Sequence, residues 1–256
     1  MKAATLRTLL TALPACVLVG AWEWFASSNQ RLGFLLGSPS GVFASLRALA
    51  GNGDLYRHFF VTLWEAFAGL ALGMLVGSAL GLALSKALRL EKISRPYVLA
   101  FGAVPMVAIG PVLVFWMGTG IAAKILIAAL CTAPIALAQA RTGAATANRE
   151  LVEMARTFGV PERRVFWRLV LPSAVIWMLA SLRLNVGLAL LGAFSGEFLS
   201  SRAGLGHLII VAEGLYDMNG MWAGVVGIIV AALMLHTAAI PLESWARRFT
   251  LPQSNN

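Results

Sequence analysis

The chain has 256 residues, of which 59% are hydrophobic and only 12% carry a charge. A soluble globular domain carries about 25% charged residues, so this composition excludes an ordinary soluble protein and favours a membrane protein. The formal net charge of +9 would also suit a nucleic-acid-binding protein, and only the positions of the basic residues separate the two classes.

Six apolar stretches are long enough to cross a bilayer as helices. They run over residues 9–25, 61–84, 97–117, 121–140, 173–194 and 221–241. The first could be a cleaved signal peptide, because Lys2 and Arg7 precede it. Its end, Ala-Trp-Glu-Trp-Phe, is typical of an aromatic anchor at the membrane surface, so we expect residues 1–26 to be retained.

The basic residues lie mostly on one side of the predicted bilayer. With a cytoplasmic N-terminus, fourteen of the twenty fall in cytoplasmic segments, five fall outside, and Arg183 falls within the fifth span. The fourteen are Lys2, Arg7, Lys86, Arg89, Lys92, Arg95, Arg141, Arg149, Arg156, Arg163, Arg164, Arg168, Arg247 and Arg248. The positive-inside rule therefore predicts that both termini are cytoplasmic, and the net charge requires no nucleic acid.

Glycines recur every four residues along the second span, at Gly69, Gly73, Gly77 and Gly81. This spacing forms a groove in which another helix can approach closely. That helix could belong to the same chain or to a second subunit.

Ionisable residues inside the spans are candidates for function. Glu65 lies near the external end of its span, where we expect it to reach the membrane surface. Arg183 lies about ten residues into the fifth span, where an arginine costs about 2.5–3.5 kcal/mol on insertion scales. It should face protein or a wet cavity, either to contact an anionic substrate or to bind a structural partner such as Asn185 or helix-end carbonyl groups.

The sequence lacks the motifs of common catalytic and metal sites. No lysine follows a glycine, so the phosphate-binding loop of an ATPase does not occur. The three histidines are far apart, and the two cysteines, Cys16 and Cys131, lie in separate apolar runs. We therefore expect no catalytic residue, no metal and no bound cofactor in this chain.

The segment from residue 150 to residue 172 holds seven charged residues in a predicted cytoplasmic loop. It predicts two short amphipathic helices, because Gly159 can end the first and Pro161 can begin the second. The pair could lie on anionic lipid, or it could dock a cytoplasmic partner.

The same segment resembles the EAA loop of importer-type ABC transporter permeases. That motif reads Glu-Ala-Ala, three residues, Gly, nine residues, Ile, one residue and Leu-Pro. Every spacing is matched here, with Met in place of one Ala and Leu in place of the Ile. The matching residues are Glu153, Met154, Ala155, Gly159, Leu169, Leu171 and Pro172.

The resemblance extends over nearly the whole chain, which is similar to the nitrate, sulfonate and taurine branch of these permeases. The segments that carry it include SPSGVFASL, GLALGMLVGSALGLALS, LRLNVGLAL and GEFLSSRAGLGHLI. The chain departs from the branch at Glu65, where a basic residue is common, and at Gly196, where Ala usually precedes Glu197.

The resemblance implies an all-α, type I ABC importer permease with about six transmembrane helices in one domain over residues 1–256. It makes residues 141–172 the coupling loop and places Arg183, Asn185 and Glu197 along the substrate pathway. It also implies a second copy of this permease, two cytoplasmic ATPase subunits that use ATP and Mg²⁺, a periplasmic substrate-binding protein, and a location in the bacterial inner membrane.

The expected function is uptake of a small anion, with aliphatic sulfonates, taurine and nitrate as the leading candidates. The same resemblance also covers permeases for pyrimidine vitamin precursors and other small solutes. An ATP-independent channel or secondary carrier is a second alternative. A membrane enzyme or scaffold is a third, for which the sequence contains no catalytic cluster.

Overall fold

The computed structural model of the chain describes the backbone of residues 2–85 and 88–247. Within these ranges it describes every side chain except those of residues 2–12, 88–92, 95, 99, 106, 107 and 245–247. Some of the basic side chains that support the predicted topology lie outside the described ones. They are Lys2, Arg7, Lys86, Arg89, Lys92, Arg95, Arg247 and Arg248.

Helices account for nearly all of the described backbone, which contains no strand. The first half of the chain forms α1 (Lys2–Ser28), α2 (Gln30–Leu36), α3 (Pro39–Gly51), α4 (Asp54–Ser85), α5 (Leu88–Ala103), α6 (Met106–Met117) and α7 (Ile121–Ala145). The second half forms α8 (Arg149–Thr157), α9 (Glu162–Val165), a π-helix (Phe166–Val170), α10 (Leu171–Ala180), α11 (Leu182–Leu199), α12 (Leu205–Gly214) and α13 (Met218–Arg247). The prediction of an all-α fold is confirmed.

Among the described residues, four helices are long and apolar enough to cross a membrane, namely α4, α7, α11 and α13. Two bent pairs raise the number of candidate spans to six. Helices α2 and α3 meet at 50°, and the apolar parts of α5 and α6 meet at 89°. Four to six candidates agree with the prediction of about six, while the predicted first span lies in α1, partly outside the described side chains.

The predicted fifth span, residues 173–194, is not one uninterrupted helix, because α10 ends before Ser181 and α11 begins after it. The Ser181 carbonyl accepts hydrogen bonds from the backbone amide and the side-chain amide of Asn185, each at 3.1 Å. The Ser181 hydroxyl donates to the Met178 carbonyl at 2.8 Å. Such hydrogen bonds from side chains to the nearby backbone compete with the regular helical bonds. The hydrophobicity of the sequence gives no sign of them, so this break was not predicted.

The segment between the first two predicted spans, residues 27–60, is mostly helical. It contains α2, α3 and the first turns of α4. Asn29 begins α2 by accepting a hydrogen bond from Arg31 N at 2.9 Å. Ser38 begins α3 in the same way through Gly41 N at 3.1 Å, as helix-capping residues do.

Hydrogen bonds join the end of α1 to the turn between α2 and α3 and to the start of α3. Trp22 Nε1 donates to the Gly37 carbonyl at 3.1 Å, and its ring lies 5.2 Å from that of Trp222 in α13. The Glu23 carboxylate accepts hydrogen bonds from the amide and the hydroxyl of Ser40 at 3.0 and 2.7 Å. These contacts hold α1, α3 and α13 together at one end of the bundle.

The most extensive helix contact in the described structure joins α4 to α7. A Cβ atom at Gly77 would collide with the backbone of Ala133, and a Cβ atom at Gly73 would collide with that of Ala129. The flanking glycines at positions 69 and 81 meet α7 in the same way. The predicted groove is therefore occupied by a helix of the same chain, because only glycine permits so close an approach.

Small residues also bring other helices against α7. A Cβ atom at Gly192 of α11 would lie 2.6 Å from Ala128 Cα, and one at Gly143 of α7 would lie 2.6 Å from Ala174 Cα of α10. Helix α7 is thus surrounded by α4, α10 and α11. The buried core around it also draws on α12 and α13, and includes Ala66, Leu70, Ala128, Val186, Ala189, Leu190, Ala193, Leu205, Ala231 and Leu235.

Replacing Gly77 by alanine should destabilise the bundle, because the added methyl group meets backbone atoms of Ala133 that no rotamer change can move. We expect a loss on the order of 1–3 kcal/mol, measured as a lower midpoint of thermal unfolding of the purified protein in detergent. Gly20→Ala is the matched control, since a Cβ atom at Gly20 has no neighbour within 4 Å. Equal midpoints for the two variants would contradict the close contact between α4 and α7.

Candidate functional site

The predicted docking segment folds as two short helices beyond the end of α7. Asn148 begins α8, because its side-chain oxygen accepts a hydrogen bond from Leu151 N at 3.1 Å. Leu151, Met154 and Phe158 share one face of α8, and all three are exposed, Phe158 to 79%. An exposed apolar face of this kind is typical of a surface that meets a partner.

Gly159 ends α8 through a Schellman motif. Its φ of +72° lies in the left-handed region, which strains any residue that carries a Cβ atom. Gly159 N donates to the Arg156 carbonyl at 2.9 Å, and Val160 N donates to the Ala155 carbonyl at 3.0 Å, which are the two bonds of this motif. A Cβ atom at Gly159 would have no neighbour within 4 Å, so the backbone conformation alone requires the glycine.

A salt bridge joins α8 to α9 across this turn. Arg156 Nε lies 2.6 Å from Glu162 Oε1, and Arg156 Nη2 lies 3.2 Å from Oε2, so the pairing is bidentate. The hydrogen bond from Arg156 holds the pKa of the Glu162 carboxyl below its usual range. A lowered folded-state pKa stabilises the fold above the unfolded pKa and loses this effect as the pH falls through the folded pKa. At neutral pH the bridge therefore joins the two helices, but both side chains are exposed and it adds little stability.

A π-helix links α9 to α10 without a loop. Pro172 is the second residue of α10, and in a regular α-helix its ring would clash with the carbonyl of Arg168, four residues earlier. The wider π turn, closed by a hydrogen bond from Leu171 N to the Phe166 carbonyl, accommodates the ring. Leu169 and Leu171 are half-buried here, and Pro172 is exposed. This end of the motif therefore passes directly into α10.

A cavity of about 1160 Å³ lies behind α8. Glu153 lines it, although its motif neighbour Met154 belongs to the outward apolar face of α8. Four arginines also line the cavity, namely Arg141, Arg149, Arg156 and Arg163. The two sides of α8 therefore differ in chemistry, one apolar and exposed, the other charged and facing the bundle.

Arg183 forms an ion pair that the sequence analysis did not predict. Its Nε atom lies 2.9 Å from Oε1 of Glu243 in α13. The structural partner is thus Glu243, and the suggestion of Asn185 or helix-end carbonyls is wrong. The Glu243 side chain is only 6% exposed, whereas that of Arg183 is 47% exposed, so part of the Arg183 side chain remains accessible.

Asn185 is fully buried and turns back along its own helix. Its Nδ2 atom donates to the carbonyl and to the hydroxyl of Ser181, at 3.1 and 3.2 Å. Its Oδ1 atom has no hydrogen-bond partner among the described residues. Glu197 lies twelve residues further along α11, which is about 18 Å. Arg183, Asn185 and Glu197 consequently do not form a single site.

Glu197 is buried near the other end of α11, with 1% of its surface exposed. Its Oε1 atom accepts a hydrogen bond from the Thr62 hydroxyl, and its Oε2 atom accepts one from Gly206 N, both at 2.6 Å. A buried carboxylate needs such partners. Since one belongs to α4 and the other to α12, Glu197 connects three helices.

Glu65 lies one turn beyond Thr62 in α4 and is fully buried. The expectation that it reaches the membrane surface is wrong, because it faces the bundle and pairs with Lys124 of α7, with Nζ 3.6 Å from Oε1. Lys124 Nζ also donates to the hydroxyl of Ser201 at 2.7 Å. Sequence reasoning missed this role of Lys124, since nothing local to it indicates a partner on another helix.

Comparison with known proteins identifies relatives over nearly the whole chain. The family described as binding-protein-dependent transport system inner membrane component matches residues 69–249. A probable ABC transporter permease protein of Haemophilus influenzae is 30% identical over 231 residues, which cover 90% of this chain and 94% of that protein.

Relatives that are named for a substrate differ from one another. A putative aliphatic sulfonates transport permease protein of Escherichia coli is 29% identical over 217 residues, covering 85% of this chain and 81% of that protein. A formylaminopyrimidine transport permease protein of Halalkalibacterium halodurans is 29% identical over 207 residues, covering 80% and 83% respectively. These names alone do not select one substrate.

A solved structure shares the fold. The inward-facing MetNI methionine ABC transporter aligns with a TM-score of 0.68 at 17% sequence identity, over 77% of this chain and 98% of that chain. At this identity the likeness shows the fold alone. That fold is the type I importer permease architecture predicted from the sequence.

Proposed function

This chain belongs to the family of binding-protein-dependent transport system inner membrane components, the permease subunits of ABC importers, and from that premise we propose that it carries a small anion into the cytoplasm. The energy comes from a separate ATPase, because permeases of this family have no ATPase site of their own. An ATP-independent carrier is not favoured by this family membership.

The exposed apolar face of α8 is the observation that supports an ATPase partner. Met154 and Phe158 project from a helix pair whose shape is set mainly by the Gly159 turn, which the bridge between Arg156 and Glu162 spans. A surface held in one conformation loses little entropy when a partner binds. The defined shape of the helix pair favours a groove on a protein as the binding partner of α8. A lipid surface would bind a flexible helix equally well.

The link from the docking helices to the membrane helices supports a mechanical role. The π-helix passes into α10 without a loop, and α11 follows after the single residue Ser181. A displacement of α8 and α9 by ATPase closure would therefore move α10 and α11. In this scheme Leu169, Leu171 and Pro172 join the docking surface to the span.

The assembly that we propose contains two copies of this permease, two ATPase subunits that use ATP and Mg²⁺, and a periplasmic substrate-binding protein. The excess of basic residues around α8 and α9 supports a cytoplasmic position for these helices and for both termini. In this proposal α12, at the other end of α11 from the docking helices, lies towards the periplasm, where the binding protein would deliver substrate.

Arg183 supports an anionic substrate. Its side chain is about half exposed, and it pairs with the buried carboxylate of Glu243. Guanidinium groups bind sulfonate and other oxyanions through paired hydrogen bonds. We therefore favour an aliphatic sulfonate, taurine or nitrate, and the relative named for formylaminopyrimidine makes a pyrimidine vitamin precursor the runner-up.

The docking role of the Gly159 turn can be tested with Gly159→Val and Gly159→Asn. Valine in the left-handed conformation costs about 1–2 kcal/mol, whereas asparagine adopts this conformation more readily. We expect Gly159→Val to bind the purified ATPase partner about tenfold more weakly than wild type, and Gly159→Asn to bind nearly as well. Capture on immobilised, solubilised permease measures the difference.

Both variants must first elute in size-exclusion chromatography as wild type does, which shows that the bundle is folded. Equal capture of the ATPase subunit by the valine and asparagine variants would contradict a docking role for this turn.

The substrate role of Arg183 can be separated from its structural role by a double substitution. Arg183→Gln alone leaves Glu243 buried without a cation, so it should destabilise the protein. Arg183→Gln with Glu243→Gln removes both charges and should restore folding and ATPase binding. We expect this double variant to lose uptake by about tenfold or more, measured in cells that carry the whole transporter and are offered labelled taurine, an alkanesulfonate, nitrate or formylaminopyrimidine.

If the double variant takes up substrate at the wild-type rate, Arg183 has only the structural role of pairing with Glu243. Uptake of formylaminopyrimidine alone by the wild type would overturn the anion proposal.

A further inference from the structure

The start of α12 is held by three side chains that come from elsewhere in the chain. An ordinary helix start is capped by the residue just before it, but that residue is a glycine here. Three consecutive backbone amides instead donate to side chains on α4 and α11. The pairs are Gly204 N with His58 Nδ1 at 2.9 Å, Leu205 N with Thr62 Oγ1 at 2.7 Å, and Gly206 N with Glu197 Oε2 at 2.6 Å.

The three caps form one connected set of hydrogen bonds. His58 and Thr62 are four residues apart, so they lie on the same face of α4. The Thr62 hydroxyl accepts from Leu205 N and donates its proton to Glu197 at 2.6 Å. Each polar group is therefore matched in donor and acceptor character, and Glu197 completes the set from α11.

The Gly-Leu-Gly sequence at the start of α12 fits this arrangement. Gly204 has a φ of +118°, which residues with a side chain rarely adopt. A Cβ atom at Gly204 would collide with the Glu197 carboxylate, and one at Gly206 would lie 2.9 Å from Glu197 Cβ. The two glycines leave the space that the buried carboxylate fills.

The segment that precedes α12 is hydrogen-bonded to a further helix, α7. Ser201 accepts a hydrogen bond from Lys124 of α7, which also pairs with Glu65 of α4. Lys124 and Glu65 are 3% and 0% exposed. A buried ion pair adds little net stability in an apolar bundle, but breaking it is strongly destabilising, so it specifies one arrangement of the helices.

We propose that Glu197 is a positioning residue for transport, which clamps α12 to α4 and α11 so that residues 200–214 move with these helices as one body. Helix α11 follows α10 and the docking helices in the chain, so the clamp joins the periplasmic segment to the cytoplasmic docking surface. The proposal rests on the function proposed above. It gives the buried carboxylate a mechanical task and requires no contact with the substrate.

Distances between spin labels test this clamp directly. One label replaces Glu213 in α12 and the other replaces Phe60 in α4, both of which are exposed, in the full-length chain with both native cysteines replaced and in a lipid nanodisc. In wild type we expect a narrow distance distribution that does not change when the bound ATPase subunit takes up ATP. Glu197→Ala should broaden it and should reduce uptake by about tenfold or more, while capture of the ATPase subunit stays unchanged.

Two further variants separate clamping from simple stability. Glu197→Gln keeps one acceptor oxygen, so it should restore part of the narrow distribution and part of the uptake. Ser195→Ala is the matched control on α11, since its hydroxyl bonds to the Leu191 carbonyl within the same helix. This control should behave as wild type.

A wild-type distance that changes on ATP binding would overturn the proposal, because α12 would then move independently of α4. A Glu197→Ala variant with a narrow distribution and normal uptake would overturn it as well. The distance distribution measured without the ATPase subunit tests the clamp by itself. A failure of the proposed function would be seen separately, because the wild-type chain would then neither bind the ATPase subunit nor support uptake.

Discussion

The close approach of α4 to α7 is the contact on which the rest of the bundle depends. In a bilayer the lipid tails are as apolar as leucine, so helices associate through tight packing and hydrogen bonds. Four glycines on α4 let the backbones of the two helices touch over three turns, with Gly73 and Gly77 facing the carbonyls of Ala129 and Ala133. Helix α7 then serves as the surface against which α10 and α11 pack, and it carries Lys124 to the side of Glu65.

Polar side chains supply the connections that packing alone does not specify. Arg183 joins α11 to α13 through Glu243, and Glu197 joins α11 to α4 and α12. Arg183 and Glu243 lie on helices that are distant in sequence, as do Glu197 and Thr62, and the carboxylates of Glu243 and Glu197 are buried. Because an unpaired charge in this environment is strongly unfavourable, these pairs favour one arrangement of the helices. The proposal that Glu197 clamps α12 to α4 and α11 fits an importer that alternates between two states, since packed helices switch between discrete arrangements instead of deforming continuously.

The features that the sequence predicted well are those that depend on local chain conformation. Gly159 and Pro161 mark a helix end and a helix start because glycine adopts the left-handed conformation and proline suits a first turn. The glycine repeat of α4 indicated a close helix contact, although it did not identify α7 as the partner. The features that were missed depend on tertiary contacts. Glu243 lies sixty residues from Arg183, and His58 and Thr62 cap a helix that begins more than 140 residues later, so no local pattern relates them. The helix break at Ser181 was missed for a different reason, because the hydropathy of a segment does not report hydrogen bonds between side chains and the backbone.

Photo-crosslinking from the docking face in an assembled, ATP-hydrolysing transporter shows most directly whether α8 contacts the ATPase subunit. A photoreactive amino acid would replace Met154 on the exposed face of α8, and the same amino acid would replace Tyr216, which is exposed at the opposite end of the bundle. We predict a covalent product with the ATPase subunit from position 154 and none from position 216. Equal yields from both positions, or no product from position 154 in a complex that transports, would contradict the assignment of α8 as the surface through which ATP hydrolysis drives this permease.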